Sequence, residues 1–232
     1  MQGGARGGRV GGVGTLVLDF DSTLVPCESL EEALARAPGV GAAERARLAD
    51  ITRLGMEGAL PFADSLRARL AIAHPTRAGL TALGEELVPS IAAGAAELVA
   101  QVAARGHETW IVSGAFRETL LPAARALGVP EARVLGVRAR WHDDGSFASL
   151  DPADGFSHSK VEGVRRHPVR WPRPAVGVGD GATDLALRDA GLVDTFIAYC
   201  GHVRRRSVAE APGVIAVDDV RTLALHLEEL LP

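Results

Sequence analysis

The stretch that most constrains this chain is an apolar run that ends in two closely spaced aspartates. Residues 15–18 are apolar or β-branched, a composition typical of a strand buried on both faces of a parallel sheet. Asp19 and Asp21 follow at the carboxyl edge, where open α/β sheets build their ligand sites. If the strand continued, both carboxylates would project to the same side. Burying such a pair is costly unless a cation or a proton balances it, so the alternative is a strand end capped by solvated aspartates.

Length and composition exclude several classes of protein. The 232 residues predict one large domain, or a core with a small insertion. A formal net charge of −4 argues against nucleic acid as the main partner, and the arginine-rich residues 165–173 and 204–206 are predicted to be solvated faces. Since no apolar stretch approaches the roughly 18 residues of a membrane span, we expect no membrane partner.

The two cysteines and the glycine-rich start support simple expectations. Cys27 and Cys200 have no metal-ligand spacing, and so few cysteines are compatible with a reducing compartment. No charged-then-apolar leader opens the chain, so we expect a cytoplasmic protein. Residues 1–13 contain Gly-Gly three times and are predicted to be a mobile tail. A glycine-rich phosphate loop is disfavoured because these glycines precede the strand instead of joining a strand to a helix.

Residues 26–90 are predicted to form an inserted, all-helical cap. An i, i+3, i+4, i+7 apolar stripe indicates a first helix, with members Leu30, Ala33, Leu34 and Ala37. Residues 42–57 and 61–74 have further helical patterns, the second with Pro61 suited to a first helical position.

Residues 14–25 and 91–232 are predicted to form an α/β core with a doubly wound parallel sheet. Short apolar strands alternate with helices over this region, which is typical of a sheet covered on both faces. We predict strands at 109–113, 134–141, 147–150, 175–179, 196–199 and 214–217, and helices at 95–104, 117–127 and 222–231. Residues 143–146 are predicted to form a hairpin turn between two of these strands.

Three further motifs follow later strands. Ser113-Gly114 ends an apolar run, Lys160 lies in a polar segment, and Gly179-Asp180-Gly181-Ala182-Thr183-Asp184 ends another run. Separately, a Ser-Gly pair is usually a turn and a lone lysine is usually solvated. The glycines of the last motif permit a tight turn in which both acids face one pocket.

In this order, the four segments resemble the motifs of the haloacid dehalogenase superfamily of phosphotransferases. The resemblance implies that Asp19 is a nucleophile that forms an aspartyl-phosphate, and that Asp21 is the general acid and later the base. Acidic neighbours are expected to raise the pKa of Asp21 so that it holds a proton near neutral pH. Ser113 and the Gly114 N–H would hold phosphoryl oxygens, and Lys160 would add a positive charge beside Asp19.

A divalent ion is expected in the same place. Four acids and a dianionic phosphate would repel one another without a countercharge, and magnesium suits carboxylate oxygens. The resemblance implies three ligands, which are the carboxylates of Asp19 and Asp180 and the backbone carbonyl of Asp21. Asp184 would act directly or through water.

The cap sequence is similar to that of the phosphoserine phosphatase family. Glu28 lies nine positions after Asp19, and Leu54-Gly55-Met56 is followed by Pro61-Phe62 and by Arg69. Ala115 departs from the family pattern, where a second glycine is common. The resemblance implies that Glu28 binds the ammonium group of the substrate and that Arg69 binds its carboxylate. It also implies that Met56 and Phe62 form an apolar lid. Thr183 is a further substrate-binding residue on the same grounds. Alternatively, Glu28 favours a helix N-terminus, Arg69 is a surface cation, and Met56 and Phe62 are plain core.

The sequence therefore predicts a magnesium-dependent phosphatase for a small phosphomonoester, with O-phospho-L-serine as the expected substrate. Another phosphomonoester and a phosphotransferase or mutase reaction are the alternatives. A non-catalytic binding module is disfavoured because Asp19 and Asp21 are both present. A monomer and a homodimer are equally compatible with the sequence.

Overall fold

The computed structural model describes residues 12–56, 59–168 and 170–232. The predicted tail, apart from residues 12 and 13, lies outside the described residues.

The strands are β1 (Thr15–Leu18), β2 (Glu108–Phe116), β3 (Val134–Val137), β4 (Ala139–Trp141), β5 (Phe147–Leu150), β6 (Ala175–Gly179), β7 (Thr195–Tyr199) and β8 (Ile215–Val217). The helices are α1 (Ser29–Ala35), α2 (Ala42–Met56), α3 (Phe62–Leu70), α4 (Arg77–Leu87), α5 (Ala95–Ala104), α6 (Arg117–Leu127), α7 (Lys160–Arg166), α8 (Ala182–Asp189), α9 (Arg206–Ala209) and α10 (Val220–Leu230).

Six strands form the parallel sheet that the alternating pattern predicts, in the order β3-β2-β1-β6-β7-β8. Strand β1 is central and is buried on both faces. Leu16 and Leu18 pack with α5, α6 and α10, whereas Val17 packs on the opposite face with the cap helices, α7 and α8. This confirms the doubly wound α/β fold, because successive residues of a buried strand supply both cores.

Helices α1 to α4 form the cap between β1 and α5. Pro61 lies just before the first residue of α3, one position earlier than predicted, and α3 ends at Leu70. The side chain of Thr76 caps α4 by accepting a hydrogen bond from the Gly79 N–H at 3.0 Å. The apolar stripe of α1 is buried as expected, with Leu30 and Leu34 facing the cap core.

The single strand predicted over 134–141 is wrong, because two strands share this segment. Strand β3 joins the central sheet, whereas β4 pairs with β5 in a separate antiparallel hairpin. The break falls at Arg138, whose backbone N–H donates to the Asp154 carboxylate at 2.5 Å instead of to a neighbouring strand. A side chain distant in sequence thus ends the strand.

Other boundaries shift by a few residues. Strand β2 continues to Phe116, with an irregular register against β3 after Val112. Ser113 and Gly114 therefore both lie within β2, which extends three residues past its predicted end at Ser113. Within the described residues, no single helix combines the length and apolarity of a membrane span; the segments Arg77–Ser90 and Ala95–Ala104 meet that test only as a pair bent by 90°.

Candidate active site

Two aspartates lie where the order of the strands reverses. The chain leaves β1 for β2 on one side, whereas β6 lies on the other. Asp19 directly follows β1 and Asp180 directly follows β6. The Asp19 N–H donates to the Val178 carbonyl at 2.9 Å, which holds the two strand ends together. Ligand sites of doubly wound sheets form at such a reversal.

Asp21 reaches the same cleft by a turn and not by strand periodicity. Strand β1 ends at Leu18, and the Val25 N–H donates back to the Phe20 carbonyl at 3.1 Å. Asp21 Oδ1 accepts a hydrogen bond from the Ser29 N–H at 3.1 Å, at the beginning of α1. Asp19 and Asp21 therefore do not lie on one side of a continuing strand, although both aspartates line the cleft.

The pKa of Asp21 is raised well above its usual value. Burial is the largest cause, and the carboxylates of Glu28 and Asp19 raise it further against the hydrogen bond from Ser29. The predicted direction is correct, but desolvation contributes more than the acidic neighbours. A carboxyl group with such a pKa can hold a proton and donate it.

Lys160 bridges two buried acids. Its Nζ lies 2.6 Å from Asp19 Oδ1 and 2.5 Å from Asp184 Oδ1, and its side chain is 7% exposed. Lys160 begins helix α7, whose N-cap Ser159 accepts a hydrogen bond from the Glu162 N–H. Burial would lower the pKa of Lys160, but the two carboxylates outweigh it and raise that pKa overall. The lysine is therefore a fixed positive charge beside Asp19.

Asp180 and Asp184 complete an acidic cluster with Asp19. Burial raises the pKa of both, and the Asp19 carboxylate raises each further. Asp184 Oδ2 also accepts a hydrogen bond from the Gly181 N–H at 3.1 Å, so the chain itself contacts both oxygens of Asp184. Gly179 makes room for this side chain, because a β-carbon there would lie 2.6 Å from that of Asp184.

This cluster has the donor set that a hard divalent ion requires. One oxygen from each of Asp19, Asp180 and Asp184 lies within 4.8 Å of the others, and all three residues are buried. Magnesium prefers carboxylate oxygens, and a bound dication would offset the repulsion that raises these pKa values. The residues present therefore fit the predicted metal.

Ser113 and Gly114 lie on the neighbouring strand end. Ser113 is 1% exposed, and its Oγ accepts a hydrogen bond from the Ala115 N–H at 3.1 Å. Both residues line the cleft with Asp19 and Lys160. Thr183, on the first turn of α8, also lines it but is exposed to solvent.

Glu28 immediately precedes α1, and its side chain faces the cleft. Its Oε1 accepts a hydrogen bond from the Ser22 Oγ at 2.9 Å, and Ser22 adopts a left-handed backbone with φ of 53°. Burial raises the pKa of Glu28, the bond from Ser22 lowers it, and Asp180 and Asp19 raise it. Glu28 is therefore an acid held in place on the side of the cleft nearest the cap.

Arg69 enters the cleft from α3. The residue is 6% exposed, and its Nε donates to the Ser65 carbonyl at 3.3 Å. In the described part of the chain, no carboxylate lies within ion-pairing distance of it. Burial lowers the pKa of Arg69, while Glu28, Glu31 and Asp21 act in the opposite direction. An unpaired buried guanidinium is costly, which favours a role in binding an anionic group.

Phe62 brings the cap against the core. A β-carbon on Gly114 would lie 3.1 Å from Cε2 of Phe62, so the ring rests on the Gly114 backbone. This contact favours glycine at position 114, because a β-carbon there would push the Phe62 ring away. The side chain of Met56, the other predicted lid residue, lies outside the described residues.

Arg205 lies in the cleft, although its sequence context predicts a solvated position. Its Nε lies 2.7 Å from Asp180 Oδ2 and its Nη2 lies 3.5 Å from Glu28 Oε1. The prediction of a solvated face is wrong for Arg205, although its neighbours Arg204 and Arg206 are exposed. No pattern in the sequence distinguishes the three arginines. Which of their side chains points into the cleft depends on the conformation of the loop after β7.

Together these residues enclose a cleft of about 330 Å³ between cap and core. Its core side has a carboxylate beside a fixed lysine and an acidic cluster. Its cap side has the carboxyl group of Glu28 and the guanidinium cation of Arg69. The arrangement suits a small molecule that carries a phosphate together with an ammonium and a carboxylate.

Comparisons with known proteins agree with this geometry. The sequence model of the haloacid dehalogenase-like hydrolases matches residues 16–188. The phosphoserine phosphatase of Rattus norvegicus is 33% identical over 215 residues, which cover 91% of this chain and 92% of that protein. The human phosphoserine phosphatase is 31% identical over the same shares of the two chains.

A solved structure shows the same fold. The phosphoserine phosphohydrolase-like protein of Francisella tularensis superimposes with a TM-score of 0.84 at 33% identity, covering 93% of this chain and 100% of that one. Fold and site define a haloacid dehalogenase-like hydrolase of phosphoric monoesters. Within that superfamily, the chain belongs to the phosphoserine phosphatase family.

Proposed function

We propose that this protein is a magnesium-dependent phosphatase that converts O-phospho-L-serine to L-serine and phosphate through an aspartyl-phosphate. The main support for the proposal is that two sets of side chains face each other across one cleft. Asp19 and Lys160 are in contact on the core side, whereas Glu28 and Arg69 face them from the cap side. The rat relative is named for the same activity.

Asp19 is the nucleophile of this proposal. Its carboxylate oxygen attacks phosphorus as the bond from phosphorus to the serine oxygen breaks. Lys160 Nζ, 2.6 Å from Asp19 Oδ1, orients the attacking group and offsets negative charge on the phosphoryl oxygens. Ser113 Oγ and the Gly114 N–H hold those oxygens from the adjacent strand end.

Asp21 carries the proton. Its raised pKa allows it to protonate the departing serine oxygen. The resulting carboxylate then takes a proton from a water molecule that attacks the aspartyl-phosphate. Phosphate leaves, and both Asp19 and Asp21 return to their starting states.

Asp19, Asp180 and the Asp21 backbone carbonyl would hold magnesium, with Asp184 in contact directly or through water. When bound, the ion supplies positive charge to the phosphoryl oxygens. An excess of acids supports the binding of a cation, since the two positive side chains of Lys160 and Arg205 contact four carboxylates between them.

The cap residues would select the substrate. Glu28 binds the ammonium, and Arg69 binds the carboxylate through its planar fork. Phe62 rests on Gly114 and keeps water from the attacking group. Thr183 binds the substrate at the open side of the cleft. Residues 26–90 would form the specificity domain and residues 14–25 with 91–232 the catalytic core.

A substrate panel tests the proposal. Phosphate release is measured with phosphoserine, phosphoethanolamine, glycerol phosphates and sugar phosphates, each with magnesium and with EDTA. We expect phosphoserine to have the highest kcat/KM and EDTA to abolish turnover. A higher rank for another ester would refute the substrate, and accumulation of a new phosphoester would favour a transferase. The proposed reaction would place the protein in serine biosynthesis, and the cytoplasm is its proposed location.

A further inference from the structure

Arg205 joins the two halves of the cleft. Its guanidinium forms one ion pair with Asp180 at 2.7 Å and another with Glu28 at 3.5 Å. Asp180 belongs to the acidic cluster after β6, whereas Glu28 precedes the first cap helix. Among the described residues, Arg205 is the cation with ion pairs to both sides.

The two partners of Arg205 have different ligands under the proposed function, on which this inference rests. Asp180 would bind magnesium, and Glu28 would bind the substrate ammonium. Both ligands are cations, so each competes with the guanidinium for its carboxylate. One side chain therefore opposes two binding events at separate positions.

The Arg205 guanidinium lies at the edge of the cleft that borders solvent. Arg205 immediately precedes the four-residue helix α9, and its side chain is 21% exposed, against 7% for Lys160. Val203, Arg204 and Arg206 around it are exposed, so the loop borders solvent. A long arginine stem can keep its apolar contacts while the charged head moves to water.

We propose that Arg205 couples the binding of the metal ion to the binding of the amino-acid end of the substrate. Whichever ligand binds first displaces the guanidinium, and the second ligand then meets less competition. Linkage requires the effect to be reciprocal, so magnesium increases affinity for the amino acid by the same factor as the amino acid increases affinity for magnesium. Lys160 cannot have this role, because its partners Asp19 and Asp184 both belong to the core cluster.

Calorimetric titration tests the coupling without turnover. L-serine, which has the ammonium and carboxylate but no phosphate, is titrated with and without magnesium, and magnesium is titrated with and without L-serine. We expect the Kd of each ligand to fall by roughly fivefold or more when the other is present, the lower range of typical coupling. In Arg205→Ala and Arg205→Gln, magnesium alone binds more tightly than in the wild type, and the coupling is lost.

Arg204→Ala is the matched control. Arg204 is the adjacent arginine and pairs with Asp218 at 2.8 Å, with side chains that are 49% and 67% exposed, respectively. We expect this variant to keep the wild-type coupling. Circular dichroism melts establish that each variant is folded, and the Gln variant keeps a polar side chain if the Ala variant does not fold.

Two results would overturn the inference. The first is unchanged coupling in both Arg205 variants, and the second is magnesium affinity that is equal or weaker in both. The magnesium titration needs no amino acid, so it decides the competition at Asp180 even if L-serine does not bind. Failure of phosphoserine in the substrate panel, together with tighter magnesium binding by both Arg205 variants, would refute the proposed substrate and leave the competition at Asp180 intact.

Discussion

Asp184 folds back over Gly179, so that a β-carbon at position 179 would lie 2.6 Å from the β-carbon of Asp184. This close approach aims Asp184 at Lys160, whose Nζ lies 2.5 Å from its Oδ1. Gly179, the last residue of β6, therefore determines where the Asp184 side chain lies. Because Lys160 contacts both Asp184 and Asp19, Gly179 also affects the position of Lys160 beside Asp19.

Replacing Gly179 by alanine tests this relationship. We expect Gly179→Ala to destabilise the protein by about 1–3 kcal/mol, a typical cost of overpacking, and to lower phosphatase activity. Gly181→Ala is the comparison, because its β-carbon would meet Asp184 Oδ2 only at 3.3 Å. Thermal melts measure both variants. Equal melting temperatures for Gly179→Ala and the wild type would show that Asp184 has room to move.

Replacing Asp19 tests the nucleophile. An amide is a poor nucleophile, so Asp19→Asn is expected to lose a factor on the order of 10³ or more in kcat. Acid quenching of the wild type with labelled phosphoserine should leave label on the protein, and the variant should retain none. The surface variant Asp218→Asn is expected to keep both signals. Activity of Asp19→Asn within tenfold of the wild type would contradict the mechanism.

The raised pKa of Asp21 predicts a pH-dependent gain in stability for Asp21→Asn. The carboxyl binds its proton more tightly in the folded than in the unfolded protein, so its contribution to stability is lost as pH rises from about 3.8 through the folded pKa. Asparagine cannot ionise and keeps the acceptor for the Ser29 N–H. The variant should therefore be more stable than the wild type near neutral pH, with the difference vanishing in acid.

Urea unfolding at several pH values measures this difference, and the same variant should have little phosphatase activity. A stability gain that is independent of pH would assign the effect to packing and not to ionisation. A variant that gains stability and loses activity is expected when the replaced acid is desolvated in the folded protein and takes part in catalysis.

Arg69 is expected to act on substrate choice and not on stability. Loss of one partner of a buried charge pair costs about 2–5 kcal/mol, so Arg69→Ala should lower kcat/KM for phosphoserine by roughly 100-fold. Turnover of phosphoethanolamine, which lacks the carboxylate, should change little. Arg67→Ala is the control, since Arg67 lies on the same helix but is exposed and pairs with Asp64 at 3.0 Å.

Steady-state kinetics on both substrates, together with melts, separate the outcomes. Removing a buried guanidinium without an acidic partner should not lower the melting temperature. Equal losses on the two substrates, or a lower melting temperature, would assign Arg69 to the support of the cap.

Much of this fold could be predicted because its elements are locally encoded. The strand at residues 15–18 is β-branched or apolar throughout and has no charged residue to face water on either side, which predicts a parallel sheet. Asp19 and Asp180 each follow such a strand directly, so their meeting at the carboxyl edge needs only the sheet order. The helical cap and the contact of Lys160 with Asp19 agree with the resemblance to known motifs.

Other features depend on contacts between residues that are distant in the chain, so short stretches of the sequence could not predict them. The strand predicted over 134–141 is divided because the Asp154 carboxylate takes the N–H of Arg138. Asp21 is aimed by a hydrogen bond from Ser29, and desolvation, which exists only in the folded chain, dominates its pKa.

Arg205 shows the difference most clearly. By itself, the sequence determined the alternation of strands and helices, the order of the motifs and the acids at the strand ends, because these follow from polarity and spacing along the chain. Only the tertiary structure decided which of three consecutive arginines lies between Asp180 and Glu28. Charge pairing depends on distances in space, and residues 25 and 177 positions apart meet there only after the sheet and cap have packed.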